Sequence, residues 1–453
     1  MAPLFYTLGT LFFVVAILAS IGLHELGHMI PAKKFGGKVT QYFIGFGPTV
    51  WSRQVGETEY GVKAIPLGGY VKIVGMLPPG AAQLADEVEY DEAGNQIVKV
   101  RKSNTGMFTQ LISDARAAEW EHIRPEDSDR LFYRLAWWKK VIVMAGGPSV
   151  NILIAFFIFW GVFATVGNPA DVVAEPVVDE VAPCVVPAQD SGRECTAAEL
   201  RDHPTPARLA GLKAGDRIVS FNGQQISDWK VLQGLIRDNG SAAAVLGIER
   251  DGTLIEKRVT TQVVPRAIDE NDPEKLTPVG FLGVVPETHL GSGGPVYTVG
   301  QMGSMTVTVV KALGTLPVKV GHVGLALLGI EERDPNGPVS IVGGGRMAGE
   351  IASDNQFPLG DKMLSLLMLV AQFNFFIGMF NFVPLLPLDG GHIAGALWEA
   401  VRRGFARLRR RPDPGYVDVA KLLPIAYVMA GAFLVMGVVL ILADVFIPIH
   451  LPS

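Results

Sequence analysis

The sequence FFVVAILASIGLHELGH, residues 12–28, joins a long apolar run to two histidines and a glutamate. The apolar run, residues 4–29, is long enough to cross a bilayer, which takes roughly 20 residues. A signal peptide is the other interpretation. However, the run has no basic leading region, and it ends in HELGH rather than in a small-residue cleavage site. We therefore interpret it as a retained membrane span that carries polar groups near its end.

The composition of the whole chain also indicates a membrane protein. Of its 453 residues, 49% are hydrophobic and only 18% are charged, and the mean hydropathy is +0.31. Soluble domains carry about 25% charged residues. Three further apolar runs, at residues 141–166, 363–383 and 422–446, are long enough to span a bilayer. The sequence thus predicts a polytopic α-helical membrane protein with four transmembrane helices. Its net charge of −5 gives no reason to expect nucleic-acid binding.

Basic residues beside the spans predict the orientation of the chain. The connection between the first two spans has lysines and arginines at both of its ends, and the loop between the last two holds six arginines at 402–411. Residues 167–192, after the second span, contain neither Lys nor Arg. We therefore expect both basic loops to face the cytoplasm and both termini to lie outside. The arginines are expected to contact anionic lipids of the bilayer.

Two stretches between the spans have the composition of β structure. Residues 41–72 are rich in Gly, aromatic and β-branched residues, which predicts short strands joined by turns, close enough to the first span to dip toward the lipid. Residues 171–286 read as an inserted β domain, with strands at 217–221 and 244–250 around a helix at 229–237. The pairs Asn222-Gly223 and Asp251-Gly252 suit hairpin turns.

Other connecting segments give weaker predictions. The loop at residues 210–216 could offer N–H groups to a peptide carboxylate, although a β domain without a ligand is the alternative. Cys184 and Cys195 could form one disulfide outside the cytoplasm or remain two free thiols. Residues 78–129 are predicted to be a flexible insert without chemistry. Residues 307–328 are predicted to be a helix broken by Gly and Pro on the membrane surface, rather than a fifth crossing, and a Gly-rich turn follows residue 341.

The motif His24-Glu25-Leu26-Gly27-His28 fits H-E-x-x-H. Residues four apart share one face of a helix, so both imidazoles can reach one metal ion. Zinc lowers the pKa of water at such a site to around 7, and Glu25 is placed to take the proton and deliver it to a leaving amine. Two neutral histidines bonded to backbone carbonyls are the alternative. Polar groups are expensive inside a span, which favours the metal.

A catalytic zinc site needs a third protein ligand, and Asp389 in the sequence LDGG is the first candidate. Prolines at 384 and 387 predict that the third span ends near Val383 and continues as an extended segment. Because the first and third spans both start outside and have similar lengths, His24 and Asp389 should arrive at a similar depth. A helix-capping role for Asp389 is the alternative, and His392 is a competing ligand.

Two asparagines lie within apolar segments. The side-chain amide of Asn381 could donate a hydrogen bond to the oxyanion formed when water attacks a peptide carbonyl. It could instead hold neighbouring helices together. For Asn151, which follows GGPSV at the start of the second span, the helix-to-helix role is favoured.

Taken together, these residues resemble the site-2 protease family of intramembrane zinc metalloproteases, in its bacterial, PDZ-containing branch of regulator-of-sigma type. The resemblance covers most of the chain and rests on four segments: HELGH at 24–28, GFGP at 45–48 followed by IPLGGYVK at 65–72, GGPSVN at 146–151, and NFVPLLPLDGG at 381–391. It implies Zn²⁺ bound by His24, His28 and Asp389, with Glu25 as general base. It also implies that Asn381 assists the substrate or the oxyanion.

The resemblance implies an architecture and partners as well. A membrane-associated β-hairpin and an extracytoplasmic PDZ-like domain would accompany four helices in the bacterial inner membrane. Substrates would be single-pass membrane proteins, such as an anti-sigma factor or a signal-peptide remnant, and a peptide C-terminus would bind the PDZ-like domain. The expected divisions are helix 1 at 1–30, the β region at 31–77, the insert at 78–140, helix 2 at 141–166, the PDZ-like domain at 171–286, a surface segment at 287–362, helix 3 at 363–392, the basic loop at 393–421 and helix 4 at 422–447.

A non-catalytic scaffold and a transporter are the two alternatives to a protease. A zinc-binding membrane scaffold or receptor for cleaved stumps would need no general base, so the presence of Glu25 argues against it. A transporter would carry polar residues through several spans and paired half-helices. The sequence shows neither feature.

Overall fold

A computed structural model describes residues 2–78, 88–90, 96–98, 107–120, 123–187, 193–267 and 275–450. The chain forms two compact units, one of Met1–Val162 with Gly294–Ser453 and one of Phe163–Gly293. The helices are α1 (Ala2–Lys34), α2 (Met107–Trp120), α3 (Trp137–Thr165), α4 (Glu199–Asp202), α5 (Pro206–Leu209), α6 (Trp229–Asp238), α7 (Pro295–Leu327), α8 (Ile341–Ser353), α9 (Leu359–Asn381), α10 (Asp389–Leu408) and α11 (Leu423–Phe446). The strands are β1 (Val39–Val55), β2 (Thr58–Ile73), β3 (Val88–Tyr90), β4 (Gln96–Val98), β5 (Asn168–Val181), β6 (Arg217–Phe221), β7 (Gln224–Gln225), β8 (Ala243–Arg250), β9 (Thr253–Thr260), β10 (Gln262–Ala267), β11 (Leu276–Phe281) and β12 (Val284–Gly291).

Among the described residues, four helices are long and apolar enough to cross a membrane: α1, α3, α9 and α11 with the short turn before it. They are the four spans predicted from the sequence, and each begins within about four residues of its predicted start. Pro384 and Pro387 follow the end of α9, as predicted. The segment at 382–388 forms turns rather than the predicted extended chain, since Leu385 N–H bonds the carbonyl of Val383 and Leu388 N–H that of Leu385.

The β region after α1 consists of two strands that fold back on themselves. Residues 41–44 of β1 pair on one side with residues 59–62 of β2 and on the other side with residues 69–72. Gly45 and Gly68 have φ angles of 92° and 98°, which only glycine adopts easily and which permit the bends. Tyr42 donates its hydroxyl to the carbonyl of Gly22 at 2.8 Å, so this small sheet is fixed against α1.

Two predictions for the segment before α9 were wrong. Residues 307–327 lie in the continuous helix α7, which runs through Pro317 without a break. The predicted Gly-rich turn after residue 341 is the helix α8. The glycines of α8 serve close packing against α1, because a Cβ on Gly349 would lie 2.7 Å from the ring of Tyr6. The placement of α7 on the membrane surface stays a prediction.

The insert at 78–129 is described in part, as the pair β3–β4, as α2, and as residues 78 and 123–129 at its two ends; the rest lies outside the described residues. Glu119 of α2 accepts the backbone N–H groups of Met76, at 2.5 Å, and Leu77. Arg116 forms an ion pair of 2.5 Å with Asp418. The sequence predicts a flexible or loosely folded segment here; α2 is a helix that partly buried charged side chains hold to its surroundings at two places.

The second unit is a β domain built as the sequence predicts. Its main sheet has the strand order β12-β5-β6-β8-β9, and β10 pairs with β11. Strands β6 and β8 and helix α6 match the predicted ranges to within one residue. Asn222 and Asp251 have φ angles of 49° and 51° at the two predicted turns. Cys184 and Cys195 are joined as a disulfide, which decides between the two alternatives left open by the sequence.

Most backbone N–H groups of the loop at 210–216 are bonded within the protein. The N–H groups of Leu212 and Gly215 bond the carbonyls of Ala207 and Val178, and the N–H of Lys213 bonds the Asp216 carboxylate at 2.8 Å. These bonds close the turn before β6 and leave few donors for a ligand, and the binding of a peptide carboxylate to this loop stays a prediction.

Candidate active site

Helix α1 places the two motif histidines on one face, as their spacing requires. Nε2 of His24 lies 3.2 Å from Nε2 of His28, and the ring centroids are 4.9 Å apart. His28 is 4% exposed, so this face of the helix lies inside the protein. The pair is therefore preformed by the local helix.

Asp389 completes the group from a distant part of the chain. It is the first residue of α10, directly after the turns at 382–388. Its Oδ2 lies 3.3 Å from Nε2 of His24 and 3.3 Å from Nε2 of His28. The capping alternative does not fit, because the side chain points at the imidazoles and the N-cap position belongs to Leu388.

The three donor atoms fit a zinc ion. A tetrahedral site with bonds of about 2.0–2.1 Å has edges of about 3.3–3.4 Å between ligand atoms, and the observed triangle has sides of 3.2, 3.3 and 3.3 Å. His28 Nδ1 lies 2.8 Å from the carbonyl of Val143, which can only accept, so Nδ1 holds the proton and Nε2 presents a lone pair. That lone pair faces the carboxylate of Asp389, and a cation between them relieves their repulsion.

Helix α3 comes unusually close to the histidines, and glycines make this possible. A Cβ on Gly147 would lie 2.8 Å from Nε2 of His24 and still closer to His28, and a Cβ on Gly27 would lie 2.5 Å from the carbonyl oxygen of Gly146. Sequence reasoning did not assign a role to Gly147. Its signal is the pair of glycines at the start of an apolar span, a pattern of close helix contact.

Helix α3 also supplies polar contacts on the far side of the rings. Asn151 Oδ1 lies 2.7 Å from Nδ1 of His24. Metal-binding histidines usually donate their second N–H in this way. The sequence favoured a helix-to-helix role for Asn151, and it offered no signal for Val143, which acts through its backbone alone.

Glu25 lies between the histidine pair and the small β sheet. A Cβ on Gly69 of β2 would touch its Cγ at 3.1 Å, so a larger residue there would press on the carboxylate side chain. The Glu25 carboxylate interacts electrostatically with the backbone of Val71 and with His24, His28 and Asp389. A single glutamate is therefore held beside the donor triangle by strand β2.

The two remaining predicted residues lie outside the triangle. Asn381, the last residue of α9, donates its amide to the carbonyl of Ile377 at 3.2 Å. Its role toward a substrate stays a prediction. Within the part of the chain that the structure describes, His24, His28 and Asp389 form the one group with metal-binding spacing, and His392 is not a member.

Known proteins are similar in sequence to this chain over most of its length. The profile of Peptidase family M50 matches residues 12–421. Zinc metalloprotease Rip1 of Mycobacterium tuberculosis is 33% identical over 459 aligned residues, covering 98% of this chain and 99% of that protein. Zinc metalloprotease Rip1 of Mycolicibacterium smegmatis is 31% identical with the same coverage. Metalloprotease MmpA of Caulobacter vibrioides is 25% identical, covering 87% of this chain and 86% of that protein.

The family match contains every member of the donor triangle, since residues 24, 28 and 389 lie within 12–421. Together with the four apolar helices, it makes the chain a protein of the bacterial inner membrane. The chain belongs to peptidase family M50, the site-2 proteases, which are zinc metalloproteases of the membrane.

Proposed function

We propose that His24, His28 and Asp389 hold the zinc ion of this protease, and that it hydrolyses peptide bonds within the transmembrane segments of single-pass proteins. The observation that supports these ligands is the triangle of donor atoms 3.2–3.3 Å apart, drawn from α1 and α10. When bound, zinc acts as a Lewis acid and lowers the pKa of water at the site to around 7.

Two further side chains, Glu25 and Asn381, carry the proton transfer and the stabilisation of the oxyanion. Glu25 takes a proton from the attacking water and later delivers it to the leaving amine, as general base and then general acid. Asn381 carries two amide N–H groups, of which one bonds Ile377. The other donates to the oxyanion of the attacked carbonyl, where a single such donor contributes about 10²–10³ in rate.

The small β sheet is proposed to present the substrate to Glu25. A helical transmembrane segment hides its peptide bonds, so it must unwind before hydrolysis, and an unwound segment needs new partners for its backbone. Strand β2 reaches Glu25 through Gly69. Val50 and Trp51 of β1 are exposed by 70% and 56%, which suits contact with lipid at the membrane.

The β domain is proposed to be PDZ-like and to bind a peptide C-terminus. A groove of about 220 Å³ lies between α6 and the chain around β11, with Trp229 and Ile236 on one side and Gly280 to Val284 on the other. Arg266 also lines it, with its guanidinium 4.8 Å from the ring of Phe281. Apolar walls beside a cation suit an apolar C-terminal residue and its carboxylate.

The orientation is proposed from the basic loops, with both termini and the β domain outside the cytoplasm. This arrangement fits an oxidised pair at Cys184 and Cys195, because disulfides persist in oxidising compartments. An extracytoplasmic groove would meet the new C-terminus of a membrane protein already cut outside. Anti-sigma factors and signal-peptide remnants are the substrate classes we propose.

The general base separates this function from a zinc-binding scaffold without turnover. Glu25→Gln keeps the size of the side chain and removes its basicity. We expect purified Glu25→Gln to retain zinc but to cleave a model single-pass substrate in detergent about 10³-fold more slowly than wild type, within the range of proton-transfer catalysis. Zinc content and cleavage are measured on the same preparations. Cleavage at the wild-type rate would remove Glu25 from the chemistry.

A further inference from the structure

A chain of three hydrogen bonds leads away from His24 through the membrane helices. Asn151 on α3 and Asn374 on α9 are buried, with 1% and 0% of their surfaces exposed. Asn151 Oδ1 lies 2.7 Å from His24 Nδ1, and Asn151 Nδ2 donates to Asn374 Oδ1 at 3.1 Å. Asn374 Nδ2 donates to the carbonyl of Val370 at 2.9 Å. The three bonds thus connect α1, α3 and α9.

The direction of this chain is fixed at the Val370 end. A backbone carbonyl can only accept, so Asn374 turns its NH₂ group toward Val370 and its oxygen toward Asn151. Asn151 then turns its own NH₂ group toward Asn374 and its oxygen toward His24. Because that oxygen can only accept, His24 carries its proton on Nδ1 and presents a lone pair on Nε2.

Reversing either amide would be strongly unfavourable at this depth. It would set two acceptors or two donors against each other between side chains that are 0–1% exposed. His28 reaches the same state by another route, since its Nδ1 bonds the carbonyl of Val143 directly. The Nδ1 of His24 instead bonds a side-chain amide, that of Asn151, and this amide is oriented in turn by Asn374.

We infer that Asn151 and Asn374 are positioning residues that hold His24 in one tautomer and one orientation, and thereby set how tightly the site binds zinc. Neither residue is a member of the donor triangle. The inference rests on the ligand set proposed above. It also gives Asn151 a more specific role than holding two helices together, because its partner on α1 is a proposed zinc ligand.

The test is a chelator competition on full-length protein in detergent, with the zinc that remains bound measured by elemental analysis. Outer partners of metal-binding histidines typically contribute 10–100-fold to affinity. We expect Asn151→Leu to lower zinc affinity by about that factor, and Asn374→Leu to lower it by about 10-fold, because Asn151 is then free to turn. Asn151→Asp, whose buried carboxyl group in its protonated form keeps both an oxygen acceptor for His24 and an O–H donor for Asn374, should restore most of the affinity.

Asn381→Leu is the matched control, since it makes the same change on α9 at a residue whose amide bonds a carbonyl of its own helix. We expect it to hold zinc as wild type does, whatever its effect on cleavage. Monodisperse elution in detergent confirms folding, and Asn374→Leu carries the test if Asn151→Leu is not recovered folded.

Equal zinc affinity in wild type and in the recovered Leu variant would overturn the inference. So would an equal loss in Asn381→Leu, because the effect would then belong to any apolar replacement in these helices. A wild-type protein that binds no zinc would instead overturn the proposed function, and the two failures are therefore distinguishable.

Discussion

The membrane helices and the inserted β domain use buried polar side chains in different ways. In α1, α3 and α9, the buried residues His28, Asn151 and Asn374 belong to one hydrogen-bonded cluster around His24. In the β domain, the buried carboxylate of Asp216 closes its own turn by accepting the N–H of Lys213. The buried histidine and asparagines of these spans indicate the site, whereas the buried carboxylate of the β domain indicates local architecture.

Outside the three proposed ligands and Glu25, the largest effect is expected where the site depends on the absence of a side chain. In Gly147→Ala the new methyl group would lie 2.8 Å from Nε2 of His24 and closer still to His28. Both rings must move, and misplacement by about 1 Å costs on the order of 100-fold in rate. We expect zinc retention to fall and cleavage to drop by about 100-fold or more.

Gly161→Ala is the control for Gly147→Ala, because it lies on the same helix and a Cβ there would meet no atom within 4 Å. We expect it to bind zinc and cleave as wild type does. If both alanine variants behaved alike, close approach of α3 would not be a requirement of the site.

A smaller effect is expected at Asn381, because it is proposed to assist rather than to bind the metal. Loss of one oxyanion donor lowers the rate by about 10²–10³-fold. Asn381→Leu should therefore keep its zinc and cleave about 100-fold more slowly, measured as initial rates at saturating substrate. An unchanged rate would contradict the oxyanion role and favour the alternative, in which Asn381 holds neighbouring helices together.

The smallest effect on activity is expected in the β domain. Burial of Asp216 raises the pKa of its carboxyl group, but hydrogen bonds from Arg250 at 2.6 and 2.7 Å and from the Lys213 N–H outweigh burial and hold the pKa below 3.8. Asp216→Asn should destabilise the β domain by roughly 2 kcal/mol. Amide hydrogen exchange of β6 and β8 in the full chain would show it, while zinc content stays at the wild-type level.

The same carboxyl group predicts how the domain responds to acid. Because its pKa is lower in the folded protein than in the unfolded chain, its stabilising contribution is complete above about pH 5 and is lost as the pH falls through 3.8 and below. Exchange protection of β6 should therefore fall between pH 5 and pH 3 in wild type and less steeply in Asp216→Asn. Parallel losses in both proteins would remove Asp216 as the cause.

The sequence predicted most of the site because its residues carry strong local signals. H-E-x-x-H places the two proposed histidine ligands on one helix face by their spacing, and prolines before LDGG place Asp389 after the end of a span. Val143 and Asn374 were missed because their roles depend on how helices approach each other, which no local pattern encodes. The glycine pair that includes Gly147 indicates close approach but not the side chains that are approached. The same limit explains α8, whose glycines are read as a turn until their contact with α1 is known.

The central claim is that Asp389 joins His24 and His28 as the third zinc ligand, and zinc content measures it directly. We expect purified wild type to hold about one zinc per chain, and Asp389→Ala to lose most of it on dialysis against a chelator that leaves wild type loaded. Undiminished zinc in Asp389→Ala would contradict the account and make His392 the next candidate.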